Sequence, residues 1–521
     1  MKLLPLNKIA HFEFWLLGIY LLLGLMGTLN HSMWRDELNG WLIARDSLSW
    51  GEFWQNIRYE GHPLIWYLCL SVLTKISLNP LVMQIFHWFI TSAALGLFIF
   101  KAPFSRLQKI LFTLGYLPFY EYLLISRNYG LGLLALMVFC ALFPQRRFSY
   151  IPLALTLAFL ANSNAYGLLI SLALAFTLGL EFYTQKHLFK VNKSDLFFSI
   201  SIFIAALILA IIMLLPPADS TLQGGANQWF LQWDLYRFNQ TLSRIWNSYI
   251  LILVPSDAKF GDVTIFAIFS IICLIFWSLY LGDYGIILFF YLTATTLILS
   301  FTYLKFLGSA RHYGHLYLIL IVALWLKNYY VASVHWMPKL LYQNKNLLNL
   351  KAWVDRQGQR LLTLILVCQL IAGLIAYGRD LTLPYSASRA VAQYLQVNQL
   401  ETHTLVGSED FAVSPISGYL GQPIYYPETK SLGSFVLFNH KRQPTTLEEA
   451  LEIIANNLIV GKFSEPVIFI SNRLINNPNP LLTTHLLAEF DRSFIGNEKY
   501  FLYRITLDTS QISLLLTPPP V

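Results

Sequence analysis

The chain has 521 residues, of which 56% are hydrophobic and only 12% are charged, and its mean hydropathy is +0.53. This composition excludes an ordinary soluble globular protein. Lys and Arg exceed Asp and Glu, and the formal net charge is +8. The cations fall in short loops between apolar runs, which is the pattern of a membrane protein and not of a nucleic-acid-binding surface. We therefore expect a multi-pass protein in a lipid bilayer that binds no nucleic acid.

About eleven apolar segments of spanning or near-spanning length follow one another along the chain. They lie around residues 12–30, 81–100, 110–126, 128–143, 149–162, 165–183, 195–215, 262–281, 284–303, 312–326 and 361–377. A further apolar segment, residues 63–78, contains Lys75 and ends at Asn79-Pro80. We expect this segment to dip into or lie along the outer leaflet. The pattern predicts a mainly α, polytopic transmembrane helix bundle of about eleven full crossings plus this partial or interfacial helix.

Basic clusters between the apolar segments set the orientation, because Lys and Arg favour the cytoplasmic side. The clusters are Lys2 and Lys8; Lys101, Arg106 and Lys109; Arg146 and Arg147; Lys186, Lys190 and Lys193; and the loop from Lys327 to Arg360. With these clusters and the N-terminus in the cytoplasm, the outer side receives residues 31–80, 121–127, 162–167, 216–261 and 305–311, and everything after Tyr377.

From residue 378 onward the composition changes to that of a soluble α/β domain. The run SRAVAQYLQVNQ has a helical pattern, and HTLVGS, PIYYPE, SFVLFN, PVIFIS and KYFLYRITL have strand patterns. We expect a transmembrane domain at 1–377, with its first outer loop at 31–62, and a small extracytoplasmic domain at 378–521. The cysteines lie inside apolar segments without metal-ligand spacing, which favours neither a disulfide framework nor a zinc site.

Asp36 and Glu37 follow the first apolar segment immediately, in HSMWRDELNG, so both carboxylates should lie at the outer membrane edge. Neighbours on a helix point about 100° apart. One carboxylate can therefore face a reaction centre while the other binds Arg35, a backbone cap or another supporting group. The alternative is a solvated helix start, where Asp and Glu are favourable.

The stretch GWLIARDSLSWGEFWQNI, after the two carboxylates, has the mixed spacing of helices that lie in the membrane interface. We expect Trp41, Trp50 and Trp54 to anchor residues 38–60 as a lid on the bilayer. Such a lid would exclude water, and desolvation of a carboxylate beneath it would raise its pKa and make it a better base.

Three more motifs place ionisable residues on the same outer side. EGHPLIWYL carries His62 at the start of the partial helix, FYEYLLISRNYGLG carries Glu121 and Arg127, and FLGSARHYGHLYL carries Arg311 and His312. A guanidinium donates two parallel hydrogen bonds to phosphate oxygens, so these arginines suit a phosphate. Arginines that snorkel to the interface and histidines that only pack remain the alternatives.

The charged first loop, its His-Pro closure, the many spans and the outer C-terminal domain together resemble the C-type membrane glycosyltransferases. The closest likeness is to the protein O-mannosyltransferase and aminoarabinose transferase group. The motifs that carry it are WRDELNGWLIARDS, GHPLIWYL, SRNYGLGLL and ARHYGHLYL. The resemblance implies that Asp36 is catalytic with Glu37 in support, and that the donor is a sugar on a polyprenyl phosphate or diphosphate. This sequence has His62-Pro63 where the family more commonly has Pro-Pro, and Glu121 is the candidate for the usual second-loop Asp.

These observations predict a transferase that moves the sugar on the extracytoplasmic face with inversion, to a lipid, polysaccharide or protein acceptor. Asp36 would be the base, and Arg311 or Arg127 would stabilise the departing phosphate. The candidate substrate-binding residues are His62, Glu121, Arg127, Arg311 and His312. No metal-ligand set is predicted, and the sequence neither requires nor excludes a divalent metal.

Two other functions would use the same residues differently. A transporter or flippase of a lipid-linked sugar would bind it without bond making, and predicts ionisable residues near the bilayer midplane and paired broken helices. A non-enzymatic membrane assembly protein predicts that any activity belongs to the outer domain alone.

Overall fold

The computed structural model describes residues 10–222, 228–252, 259–332, 344–508 and 510, so the cluster of Lys2 and Lys8 lies outside the described residues. The helices up to the last predicted span are α1 (Ala10–Asn30), α2 (Arg35–Asp46), α3 (Trp50–Ile57), α4 (Ile65–Ile76), α5 (Leu81–Lys101), α6 (Arg106–Thr113), a π-helix (Tyr116–Leu124), α7 (Tyr129–Leu142), α8 (Ile151–Ala161), α9 (Ala165–Thr184), α10 (Lys193–Leu214), α11 (Leu235–Tyr249), α12 (Phe260–Leu281), α13 (Gly285–Leu304), α14 (Ala310–Lys327) and α15 (Lys345–Thr382).

Eight helices in the described part of the chain are long and apolar enough to cross a membrane. They are α1, α5, α7 with the turn that follows it, α9, α10, α12, α13 and α15. All eight fall on predicted spans, and the chain is a multi-pass membrane protein with the mainly helical, polytopic fold that the sequence predicts.

The other three predicted spans fall on shorter or more polar elements. Residues 110–126 divide at Gly115 into the end of α6 and the π-helix, and α8 has eleven residues. Helix α14 has eighteen residues and is almost wholly buried, but its first turns carry polar side chains. Helix α4 has twelve residues, which rise about 18 Å, less than the ~30 Å of a bilayer's hydrocarbon core. That length agrees with a partial helix.

The first outer loop is packed into the protein more deeply than a lid on the bilayer. Helix α2 packs against α4, and the side chains of Leu38, Trp41 and Leu42 are fully buried. Trp41 is therefore a core residue, and its predicted role as an interfacial anchor is wrong. Trp50 and Trp54 on α3 are exposed, as an interfacial helix requires.

The C-terminal part folds as a six-stranded mixed sheet with helices. Its elements are α16 (Ser388–Val397), β1 (Thr404–Ser408), α17 (Asp410–Leu420), β2 (Ile424–Tyr426), β3 (Ser431–Gly433), α18 (Leu447–Ile459), β4 (Val467–Ser471), β5 (Leu482–Phe490) and β6 (Tyr500–Leu507). The strand order is β3-β2-β1-β4-β6-β5, with β1 parallel to β2 and β4 and the other pairs antiparallel. The central strand β4 is buried along its whole length, as its continuous apolar run predicts.

Four of the five predicted strands and the predicted helix are present, as β1, β2, β4, β6 and α16. The exception is SFVLFN, residues 434–439, which is irregular and leaves the sheet domain to contact the first outer loop. We call residues 434–438 the roof segment. Helix α17 also packs against α2, so the C-terminal domain meets the membrane domain at the first outer loop.

Candidate functional site

The site is built on the first turn of α2, where the adjacent carboxylates of Asp36 and Glu37 point in different directions. The Glu37 carboxylate turns back and accepts the backbone N–H of Trp34 at 3.2 Å, which satisfies a donor that the helix start would leave unpaired. Asp36 points instead into a cavity. The negative charges also suit the positive end of the α2 dipole.

Asp36 binds two arginines that the sequence places far from it. One oxygen, Oδ2, accepts Nη1 of Arg127 at 2.6 Å and Nη2 of Arg311 at 2.9 Å. The side chain of Asp36 is 30% exposed, whereas those of Arg127 and Arg311 are 11% and 15% exposed. Three predicted site residues therefore form one partly buried ion cluster.

The pKa of Asp36 is shifted opposite to the expectation from desolvation. Burial raises this pKa, but the charges of Arg127 and Arg311 lower it by more, and the net pKa is below the usual aspartate value. The expectation of a raised pKa is wrong because it left out the two guanidinium groups. In this state Asp36 is a stabilised carboxylate and a weak base.

His62 joins the cluster from the other side of Arg127. Its Nε2 accepts Nη2 of Arg127 at 2.7 Å, so this nitrogen carries no proton and the ring is neutral. Burial, followed by the charge of Arg127, lowers the pKa of His62 to about 3. The preceding Gly61 has φ of +67°, a left-handed conformation that turns the chain sharply into α4. Arg127 thus bridges Asp36 and His62.

Glu37 belongs to a separate, fully buried network behind the cavity. Its carboxylate pairs with Nε2 of His31 at 3.0 Å, and Nδ1 of His31 pairs with Asp380 near the end of α15 at 2.9 Å. Burial lowers the pKa of His31, but the charges and hydrogen bonds of the two carboxylates raise it to about 10. Glu37 also accepts the backbone N–H of Ser126 at 2.7 Å. It therefore holds structure and does not line the cavity.

The sequence prediction did not include His31 and Asp380. The sequence indicated both, because each is an ionisable residue at the end of a predicted span, and such residues usually face a partner. His31 opens the stretch HSMWRDELNG, and Asp380 lies three residues after Tyr377.

The remaining two candidates, Glu121 and His312, lie near the cluster, but only His312 lines the cavity. Glu121 is buried in the π-helix, accepts the hydroxyl of Tyr116 at 2.7 Å and does not line the cavity. His312 lines the cavity, and its Nδ1 accepts the backbone N–H of Ser309 at 2.9 Å as a helix cap of α14. His312 thus fixes the start of the helix that carries Arg311.

The cavity has a volume of about 630 Å³ and two chemically different sides. The polar side is lined by Arg35, Asp36, Asn39, Glu60, His62, Arg127, Lys305 and Arg311. The apolar side comes from the ends of α10 and α13 and the segments after them, and includes Ile211, Leu214, Leu215, Phe301 and Phe306. Ile211 and Leu215 are also exposed. The cavity therefore combines a cationic side with an apolar side that includes exposed residues of α10 and the segment after it.

The roof segment closes the cavity from the side of the C-terminal domain. The Asn39 side chain pairs with one residue of it, donating to the carbonyl oxygen of Val436 at 3.1 Å and accepting its N–H at 2.9 Å. Ser434 donates a hydrogen bond to Asp46 at the end of α2. Val436 and Phe438, together with Phe411 of α17, line the cavity. The site is thus shared between both parts of the chain.

Within the described ranges, no group of three or more His, Cys, Asp or Glu side chains is arranged to hold a metal ion.

The fold and the site define a class: a polytopic membrane bundle in which helix α2 carries a carboxylate into a cavity covered by a C-terminal α/β domain. One solved structure similar to the chain is the crystal structure of ArnT from Cupriavidus metallidurans bound to undecaprenyl phosphate. The TM-score is 0.52 at 10% identity, over 94% of this chain and 97% of that one. The likeness confirms the fold that the sequence resemblance predicted. No family model matches the sequence, and no curated protein sequence is similar to it.

Proposed function

We propose that this protein is an integral membrane glycosyltransferase that moves a sugar from a polyprenyl-phosphate-linked donor to an acceptor on the extracytoplasmic face. The observation that carries the proposal is the Asp36 cluster with Arg127 and Arg311, at the polar end of a cavity whose other side is apolar. The similarity in fold to ArnT, which is bound to undecaprenyl phosphate, supports it.

The charges of the cavity fit a phosphate group. Four cations line it, Arg35, Arg127, Lys305 and Arg311, against the two carboxylates of Asp36 and Glu60. The apolar side offers a surface for a polyprenyl chain, so the phosphate of a lipid-linked sugar would reach the guanidinium groups while its tail stays in the membrane. Arginines in a partly buried site bind phosphate through paired, charge-assisted hydrogen bonds.

The proposed reaction is a direct displacement with inversion. Asp36 takes the proton of the acceptor hydroxyl as the acceptor oxygen forms a bond to the anomeric carbon. The bond from that carbon to the phosphate oxygen breaks, and its electron pair leaves with the polyprenyl phosphate. Arg127 and Arg311 stabilise the charge that develops on this leaving group. The roof segment limits water at the reacting carbon.

The proposed orientation places the N-terminus in the cytoplasm and the C-terminal domain outside. Its support is the distribution of cations, because Lys101 ends α5, and Arg146 and Lys186 lie in the turns that follow α7 and α9. A lipid-linked sugar delivered to the outer leaflet would then reach the cavity from the membrane.

The test is mass spectrometry of lipid-linked sugars in cells with the gene, without it, and with the Asp36→Asn variant. We expect cells without the gene, and cells with the variant, to accumulate one polyprenyl-phosphate sugar and lose one glycoconjugate. Purified protein in vesicles should convert that donor to polyprenyl phosphate. Transport of the donor across the vesicle membrane without release of polyprenyl phosphate would show a flippase and overturn the proposal.

A further inference from the structure

The two arginines of the cluster are already occupied by a group of the protein itself. Arg127 and Arg311 both donate to the same oxygen of Asp36, so the carboxylate lies where an anionic ligand would bind. Each guanidinium has five N–H donors. The Nε of Arg311 is buried and has no hydrogen-bond partner among the described residues. Arg311 therefore keeps an unused donor beside the one that binds Asp36.

Asp36 is also the most exposed member of the cluster, and it lies on the cavity surface. A phosphodiester has two non-bridging oxygens and can accept from two guanidinium groups at once, whereas Asp36 offers both arginines a single oxygen. A carboxylate held by two cations is a weak base, and it becomes a stronger one when they are withdrawn. The same two arginines cannot fully serve the phosphate and Asp36 together.

We propose that the phosphate of the donor displaces Asp36 from Arg127 and Arg311, so that donor binding itself releases the carboxylate that accepts the proton. This inference rests on the proposed function and adds an order of events to it. Without a donor the base is held inactive by the arginines. With a donor the arginines move to the leaving group, and Asp36 is free to bind the acceptor hydroxyl.

Other titratable or charged groups also face Asp36. The test must separate the protons that these groups bind from the proton that Asp36 binds. They are Arg35 on α2, Glu60 and His62 before α4, Arg127 before α7, Arg311 on α14, and Glu498 of the C-terminal domain. Burial raises the pKa of Glu498 to about 7, so this group stays protonated in the acidic range where an ordinary aspartate titrates. Burial also raises the pKa of Glu60, so the proton uptake of Glu60 must be subtracted.

The experiment measures binding of polyprenyl methyl phosphate to the purified full-length protein in detergent. This probe is a phosphodiester with one negative charge that does not titrate in the working range, so it contributes no protons. Calorimetry at about pH 4.5 in two buffers of different ionisation enthalpy gives the number of protons taken up on binding. A released Asp36 with a pKa near the ordinary ~3.9 would take up at least about 0.2 proton.

We expect the Asp36→Asn variant to bind the probe at least about tenfold more tightly than the parent protein and to lose this proton uptake. Asparagine keeps the size of the side chain but leaves both arginines without their anion. The Glu448→Gln variant, which removes an exposed carboxylate of α18, is the matched control and should behave as the parent. Equal affinity and equal proton uptake in the parent and Asp36→Asn would overturn the proposal.

Two further measurements distinguish a failure of the displacement proposal from a failure of the proposed function. The Arg127→Gln and Arg311→Gln variants should bind the probe more weakly and take up fewer protons, even if Asp36→Asn does not fold. Dimethyl phosphate, which has no tail, should bind far more weakly than the polyprenyl probe. No binding to the parent, or undiminished binding to both arginine variants, would instead contradict the phosphate site and the proposed function.

Discussion

The carboxylate of Glu37 accepts the backbone N–H of Ser126 at 2.7 Å. The residue before Glu37, Asp36, binds the residue after Ser126, Arg127. Two neighbouring carboxylates on α2 thus hold two neighbouring residues of the turn before α7, one by its backbone and one by its side chain. This double contact places the Arg127 guanidinium relative to α2. It also divides the two carboxylates between support and chemistry.

The Glu37→Gln variant should lower the stability of the protein. Glutamine keeps an oxygen for Ser126 but removes the negative charge that pairs with the buried His31. Breaking a buried ion pair costs about 3–5 kcal/mol of unfolding free energy. The measurement is the thermal unfolding midpoint in detergent, with the exposed Glu448→Gln as control. A midpoint equal to that of the control would show that Glu37 is not structurally important.

The stabilising effect of His31 should depend on pH in a defined direction. The pKa of His31 is raised from 6.5 to about 10 in the folded protein. A raised pKa means that the stabilisation is fully present below about pH 6.5 and is lost as the pH rises through about 10. The difference in unfolding midpoint between the parent protein and His31→Gln should therefore be largest near pH 6 and shrink at alkaline pH. A difference that grows with pH would contradict the charged imidazole.

The Asp36→Asn variant should lose sugar transfer and keep its fold. Removal of a general base typically costs 10²–10⁴-fold in rate, and asparagine cannot accept the acceptor's proton. The assay is release of polyprenyl phosphate from the donor by the purified protein, with gel filtration to show that the variant is folded. Near-normal turnover in a folded Asp36→Asn protein would assign the base to another residue.

Lysine should replace Arg311 better than it replaces Arg127. Arg127 uses two nitrogens to contact both Asp36 and His62, whereas Arg311 contacts Asp36 through one. A lysine has a single point of charge and cannot bridge two partners in fixed geometry. We expect the transfer rate of Arg127→Lys to be about tenfold or more below that of Arg311→Lys. Equal rates would mean that the contact to His62 has no role.

The Asn39→Ala variant should loosen the roof segment. The N–H of Val436 would lose its acceptor on Asn39, and its amide hydrogen should exchange about tenfold faster. Hydrogen exchange with mass spectrometry of peptides covering 434–439 measures this, and Asn398→Ala on the exposed surface of the same domain is the control. Unchanged exchange would show that other contacts hold the roof segment.

The sequence predicted the membrane fold, because hydropathy acts along the chain, whereas the orientation drawn from the positive-inside pattern stays a prediction. The sequence also predicted that Asp36, Arg127 and Arg311 lie on the same face of the membrane domain, although 275 positions separate Asp36 from Arg311. It could not predict the direction of the Asp36 pKa shift. That direction depends on which oxygen meets which guanidinium, and this geometry is set only where the turn before α7 and the start of α14 meet the first turn of α2 in the folded protein.

Two segments of the C-terminal domain differ from the sequence prediction. The residues of SFVLFN are apolar and alternate like a strand, but Val436 and Phe438 face the cavity and not a sheet. Strand β5 was not predicted, because it lies at the edge of the sheet and its exposed and partly buried residues do not alternate. In SFVLFN the pattern records contact with another part of the protein, which a local reading of periodicity cannot identify.

The pairing of Asn39 with Val436 joins residues 397 positions apart in the chain. During synthesis α2 is made early, while the roof segment is made only after the last membrane helix, and domains form in order from the N-terminus. The newly inserted bundle therefore passes through a stage in which its cationic pocket is uncovered and open to water. The cavity is therefore completed only when the roof segment has been made, so a chain truncated before residue 434 would be inserted with its cationic pocket uncovered.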